Sequence, residues 1–184
     1  MEPSEAIKKL LPAFEQYYTV KKDNITPPFC NEAEFRSHNE QYFLVRAAHI
    51  ADIDSNEFVY FADPAELTEE KLTELVNTAW TTGLEKVRPY NGHRNSDISL
   101  LIFTKSLGMS SSNIENMSSS GTNRRSELIH TIKKTKLYKS YKFSFHGWSH
   151  FKLAVCDVSD LTVYTNRQGK DFAKLIKKNI KNPL

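Results

Sequence analysis

The sequence predicts an α+β fold: a single domain with a mixed, mainly antiparallel sheet of about six to seven strands flanked by helices. Three observations point there. Segments near residues 4–18, 68–88 and 169–180 carry apolar side chains at the i, i+3, i+4, i+7 spacing of helices with one buried face. Between them lie runs rich in Val, Ile, Phe and Tyr, bounded by Asn, Asp, Ser and Gly, as strands and turns are. The length, 184 residues, is that of one domain and sufficient to bury a core without a disulfide or metal.

The elements follow in order. Ser4 is a suitable N-cap for a first helix whose buried stripe is Ile7, Leu10, Leu11, Phe14 and Tyr18, with Pro12 expected to kink it or shift its start. Three strands are expected next: Phe29–Arg36, Gln41–Ile53 and Glu57–Ala62. Tight turns are expected at His38-Asn39-Glu40 and at Asp54-Ser55-Asn56. The second helix has Thr68 as cap, Glu69 and Glu70 in its first turn, and a core stripe of Leu72, Leu75, Val76, Ala79, Trp80, Leu84 and Val87. After the loop Tyr90–Asp97 comes a nearly continuous apolar strand, Ile98–Thr104, which reads as interior. Ser106–Thr122 is rich in Ser, Asn and Gly and reads as a mobile loop within the domain. A third helix, Asn123–Lys136, precedes strands at Tyr138–Phe145, Phe151–Val158 and Leu161–Thr165, and a last helix begins near Gly169.

The net charge of +3 hides a division: residues 1–100 hold ten Lys/Arg and seventeen Asp/Glu, residues 101–184 fifteen and five. The halves can complement each other within the fold or in a homo-oligomer, or the basic half can face an anion such as nucleic acid. Charged residues at 26% and hydrophobic residues at 39% exclude a disordered or fibrous chain. No apolar run approaches a membrane span and MEPSEAIKKLL lacks a leader's apolar core, so the expected setting is cytoplasmic, with no membrane partner. Cys30 and Cys156 read as passive core thiols.

No catalytic motif stands out, so the first expectation is a non-catalytic binding or interaction protein without a cofactor. His93 and Asp97, in the loop before a buried strand, form a candidate acid/base or anion-binding pair, beside His146, Trp148 and His150 as further ligand-binding candidates. If His93 is a surface loop residue, its replacement by Ala should cost under ~1 kcal/mol. His146 and His150 have a zinc-like spacing, but Gly147 argues for a turn and no third ligand is evident; no metal site is expected. Tyr141, Phe143 and Phe145 alternate with Lys142, and Lys152 and Lys174 follow. Such interleaving suits stacking on unpaired bases with phosphate contacts beside them, the basis for reading Tyr141, Lys142, Lys152 and Lys174 as a nucleic-acid surface. It is equally the pattern of a half-buried strand.

The α-β-β-β-α-β order also resembles the core of the PD-(D/E)XK nuclease-like fold. That chemistry needs two acids and a Lys on a bent hairpin to hold Mg²⁺. The second and third expected strands offer acids clustered at the turn and no Lys, which implies a degenerate nuclease-like or small hydrolase site at most.

Four short stretches carry a wider resemblance: Glu40/Tyr42/Phe43/Leu44, His93 before the fourth strand, Gly147/Trp148, and Thr165/Asn166/Gly169/Lys170. On them, nearly the full chain resembles a family of small, uncharacterised bacterial proteins. The resemblance implies one α+β domain in a cytoplasmic setting and brings no activity with it.

Overall fold

The computed structural model describes residues 1–21, 23–42, 49–108 and 120–181. The elements are α1 (Pro3–Glu15), β1 (Thr19–Val20), β2 (Asn31–Tyr42), β3 (His49–Ala62), α2 (Glu69–Lys86), β4 (His93–Thr104), α3 (Ser120–Lys134), β5 (Tyr138–Ser140), β6 (Trp148–Asp157), β7 (Thr162–Thr165) and α4 (Lys170–Lys181). The strands form one sheet in the order β1-β2-β3-β4-β6-β5, with β7 also pairing to β6. The three central strands β3, β4 and β6 are parallel, and every other pairing is antiparallel. The class is the α+β one expected. Parallel neighbours need long crossovers, and α2 and α3 supply them.

The helices divide between the faces. α2 and α3 cover one, burying Leu72, Leu75, Ala79, Leu128 and Ile132 on Phe58, Tyr60, Ile98, Leu100, Phe151 and Leu153. α1 and α4 cover the other, burying Ile7, Leu10, Phe14, Phe172 and Ile176 on Val59, Phe61, Leu101, Phe103, Ala154 and Cys156. Strand β4 is buried on both faces from Ile98 to Thr104, as its unbroken apolar run demands. The acidic and basic halves of the chain meet along the β4–β6 seam and share both cores.

Several expectations need correction. Asp54-Ser55-Asn56 is no hairpin turn. It lies inside β3, opposite His38, Ser37 and Arg36 on one side and His93, Asn95 and Ser96 on the other. Backbone pairing on both sides replaces the turn, and the Ser55 and Asn56 side chains bond laterally to Asn95 and Ser96. His38-Asn39-Glu40 likewise belongs to β2 rather than a turn. The expected second strand, Gln41–Ile53, is divided between the ends of β2 and β3, and its residues 43–48 lie outside the described residues, as does 109–119 of the Ser-rich loop.

The first helix begins at Pro3 with Glu2 as its N-cap, not Ser4; Glu5 accepts the Glu2 backbone N–H at 3.2 Å. Pro12 remains inside it, on the solvent side, where the carbonyl it leaves unbonded faces water. The second helix keeps its expected cap: the Lys71 N–H donates to Thr68 Oγ1 at 3.2 Å. The strand expected at Tyr138–Phe145 stops at Ser140. Lys142, Phe143 and Ser144 then adopt positive φ, and Phe143 and Phe145 stand 96% and 81% exposed rather than in the core.

Candidate functional site

Two polar constellations flank β6. The first lies on the α1/α4 face at the beginning of β4 and β6. Glu57 of β3 opposes Asp97 of β4, and Lys152 of β6 reaches both, at 3.1 Å from Glu57 Oε1 and 2.8 Å from Asp97 Oδ2. Tyr18, just past α1, donates to Glu57 Oε2 at 2.7 Å, and Ser99 donates to Glu57 Oε1 at 2.6 Å. His150 Nδ1 stands 4.0 Å from Asp97 Oδ1. Burial pulls the Lys152 ammonium toward neutrality, but Glu57 and Asp97 outweigh it and its pKa rises above the ordinary value. Burial, then the Glu57 carboxylate, drives the Tyr18 phenol upward, so it stays a donor. Each charged group here is occupied by another. The cluster joins the acidic half to the basic half and leaves Lys152 balanced by two carboxylates.

The second constellation surrounds a cavity of about 550 Å³ at the outer edge of β6, where the C-terminal end of α3, β5 and the β7–α4 connection meet. β5 pairs with Trp148–His150 and β7 with Ala154–Asp157, which leaves a notch between them. Asn166 fills it. Its Oδ1 accepts from the Leu153 N–H at 3.0 Å and from the Gly169 N–H at 2.8 Å, and its Nδ2 donates to Phe151 O at 2.9 Å and Thr135 O at 3.1 Å. Gly169 must be glycine because a Cβ would collide with the Leu153 carbonyl oxygen. The Asn-x-x-Gly-Lys motif thus shapes the wall of the cavity. Lining it are Lys133, Lys134 and Lys136, Arg167, Tyr138 and His150. None of the four cations is paired with a carboxylate among the described residues. The Tyr138 and His150 rings lie 5.2 Å apart, so His150 stands between the cavity and the ion cluster.

The residues singled out from sequence therefore separate. Asp97, His150 and Lys152 come together. His93 does not join them: a register shift opposite Asp54 and Ser55 turns it to the α2/α3 face. There it is 3% exposed. Its Nδ1–H donates to the His146 carbonyl at 2.7 Å, which leaves Nε2 to accept from Ser96 Oγ at 2.8 Å. Its ring also packs edge-on against Tyr141. His93 is a strut between the start of β4 and the β5–β6 turn, not a surface loop residue. The turn closes over it at Gly147, where φ is +78° and a Cβ would strike the Arg94 carbonyl. His146 contributes its carbonyl, and Trp148 stands half-buried beside His150 at 6.5 Å between ring centroids. Tyr141 spends its hydroxyl on Ser149, 2.9 Å away. Lys152 is held in the ion cluster and is not free to meet phosphate. Lys142 and Lys174 are exposed, on the turn and on α4.

Sequence reasoning assigned Lys133, Lys134 and Lys136 to a solvated helix face and passed over Arg167. The available signal was the pair of basic runs, KKTK at 133–136 and NRQGK at 166–170, which flank the last three strands. From α1 to β4 the elements run αβββαβ only because Thr19–Val20 forms an unexpected first strand, the end of the expected Gln41–Ile53 and all of Glu57–Ala62 lying in the single strand β3. Among the described residues the acids and Lys do not share one hairpin, since Glu57, Asp97 and Lys152 come from three strands. Among the described residues no group of three His, Cys, Asp or Glu side chains is placed to hold a metal, and no helix is long and apolar enough to cross a membrane. The Cys30 and Cys156 thiols are both pushed up to about 12, mainly by burial, and stay protonated.

Fold and site together define a mixed-sheet protein with helices on both faces and a cationic cavity at one sheet edge. Its family follows from the sequence: the chain belongs to the family described as Domain of unknown function (DUF8052), which matches residues 2–126 and 111–178. No curated protein and no solved structure matches the chain.

Proposed function

We propose that this protein is a non-catalytic binding protein for a phosphate-bearing anion, held in the cavity between α3, β5 and the β7–α4 connection. One observation supports the reading above the others: Lys133, Lys134, Lys136 and Arg167 converge on a cavity of about 550 Å³ without a carboxylate partner among the described residues. Like charges gathered around a concave surface repel one another, and an anion relieves that repulsion. Arg167 presents a planar fork suited to two phosphate oxygens, while the lysines act as mobile point charges. Binding, rather than turnover, fits the adjacent cluster, whose ammonium and two carboxylates neutralise each other. A bacterial cytoplasm is the proposed setting, on the motif resemblance and on the two thiols, Cys30 and Cys156, that remain free.

The test is calorimetric titration with inorganic tripolyphosphate at low salt, on the wild type and on Arg167→Ala and Lys136→Ala. Saturable binding that weakens as salt rises and is lost in the variants supports the reading. Equal heats for wild type and variants overturn it.

A further inference from the structure

We infer that the anion is a single-stranded nucleic acid, whose bases stack on the β5–β6 turn while its phosphates occupy the cavity; this rests on the anion-binding reading above. Tyr138 of β5 lines the cavity, and three residues beyond it the chain enters the turn that carries Phe143 and Phe145. Cavity and turn thus belong to one hairpin.

The turn holds its rings outward. Lys142, Phe143 and Ser144 have φ of 44°, 53° and 72°, a conformation that side-chain-bearing residues rarely adopt in succession. Four backbone hydrogen bonds fix it: Tyr141 N to Gly147 O, Phe145 N to Lys142 O, His146 N to Tyr141 O and Gly147 N to Ser144 O. Beneath it, His93 bonds the His146 carbonyl. The chain therefore maintains a strained turn that places two phenyl rings 96% and 81% in solvent. Strain of this kind, with apolar groups on the surface, marks a contact site.

The chemistry of the surroundings selects the partner. Each aromatic alternates with a polar residue, Lys142 and Ser144, so there is no continuous apolar tip for a bilayer. Exposed rings at the closed end of a hairpin whose open end lines a cationic cavity suit an unpaired strand long enough to reach both, because every base offers a face to stack and every linkage a charge to neutralise.

The experiment measures fluorescence anisotropy of a labelled oligothymidylate of about twelve nucleotides, within the ~4–16 that one small domain covers. Inorganic polyphosphate, a duplex and phosphatidylglycerol vesicles are the comparison probes. The oligonucleotide should bind more tightly than polyphosphate or duplex. If about four cations meet phosphates, its affinity should fall roughly fiftyfold between about 50 and about 200 mM salt. Phe143→Ala with Phe145→Ala should lose roughly tenfold or more in oligonucleotide affinity. It should leave polyphosphate binding, the salt slope and the melting temperature unchanged, since both rings are exposed. Arg167→Ala should weaken both anions.

Polyphosphate bound as tightly as the oligonucleotide, or an oligonucleotide indifferent to the Phe variants, overturns this inference and leaves the anion-binding reading standing. Vesicle binding that needs the two Phe, without oligonucleotide binding, also overturns it in favour of a lipid surface. If no polyanion binds, the anion-binding reading falls as well.

Discussion

Replacing Lys152 by Met removes the one cation between Glu57 and Asp97 while keeping much of the side chain's length. Because its Nζ is 3.1 Å from one carboxylate oxygen and 2.8 Å from the other, those oxygens lie no more than about 6 Å apart. At an effective dielectric near 20, two negative charges at about that distance repel by roughly 3 kcal/mol. The three side chains are 25%, 13% and 18% exposed, so solvent screens part of this, and Tyr18 and Ser99 still donate to Glu57. The expected loss near neutral pH is about 2–3 kcal/mol, less than the ~3–5 of a fully buried orphaned charge. For a chain of this size that lowers the melting temperature by roughly 5–10 °C.

The loss is also pH-dependent. The repulsion requires both carboxylates to be charged, so the variant's deficit is full near neutral pH and shrinks in acid. Wild type behaves oppositely at the alkaline end: the raised Lys152 pKa contributes stability below the unfolded lysine's pKa, near ~10.4, that is lost as pH climbs through the folded value. Thermal melts by circular dichroism at about pH 5 and about pH 8 read the effect, and adding Glu57→Gln to the variant should restore at least half of it. A variant that melts within about 1 °C of wild type at about pH 8 refutes the claim that Lys152 balances this pair.

Other substitutions probe the remaining supports. Glu32 is 2% exposed and salt-bridged to Lys21 at 2.7 Å and Lys86 at 2.8 Å; burial opposes its charge, but these bonds and the Thr26 N–H hold its pKa down from 4.5 to about 2. Its stabilisation, on the order of 3 kcal/mol, is complete above about pH 4.5 and lost as pH falls toward about 2. Glu32→Gln should thus be less stable than wild type in urea at neutral pH, with the two curves converging in acid. His93→Ala leaves the His146 carbonyl without this donor and the Ser96 hydroxyl with only its long bond from Asn56, around a new void, for a loss of about 2–4 kcal/mol in the same assay. A cost under ~1 kcal/mol would show that His93 is not a strut. Gly169→Ala drives a methyl into the Leu153 carbonyl and should cost more than about 2 kcal/mol and shift the Leu153 amide resonance; an unshifted amide and melt would disprove the close approach.

Much of the fold could be read from local signals. α2 announced itself because cap, charge placement and apolar period agree within the segment, and α4 by its apolar period. β4 did so because a strand buried on both faces needs an unbroken apolar run. The failures came where local chemistry and tertiary context diverge. Asp54-Ser55-Asn56 has turn composition, yet pairing to β2 and β4 satisfies its backbone and overrides that preference. Tyr141, Phe143 and Phe145 have a strand's period of two, which cannot reveal the positive φ values that turn the rings outward. Asp97, His150 and Lys152 were each identifiable as notable, but their meeting depends on parallel crossovers that bring β3, β4 and β6 side by side. The cavity was less legible still. Its cations lie at the end of a helix and in a connection more than thirty positions on, and a side chain, Asn166, closes the gap between them.

Asn166 has a consequence for how the sheet can grow. With β5, the amide of this one residue and β7 sharing the flank of β6, few main-chain groups remain there for an incoming strand to hold. On the opposite rim, among the described residues, β1 pairs with Ala33 and Glu34 and the Lys21 N–H bonds Glu32 O, on a strand that runs to Tyr42. Augmentation by another polypeptide is thereby steered to the β2 rim, and the flank that bears the cationic hollow is left to recognition by side chains.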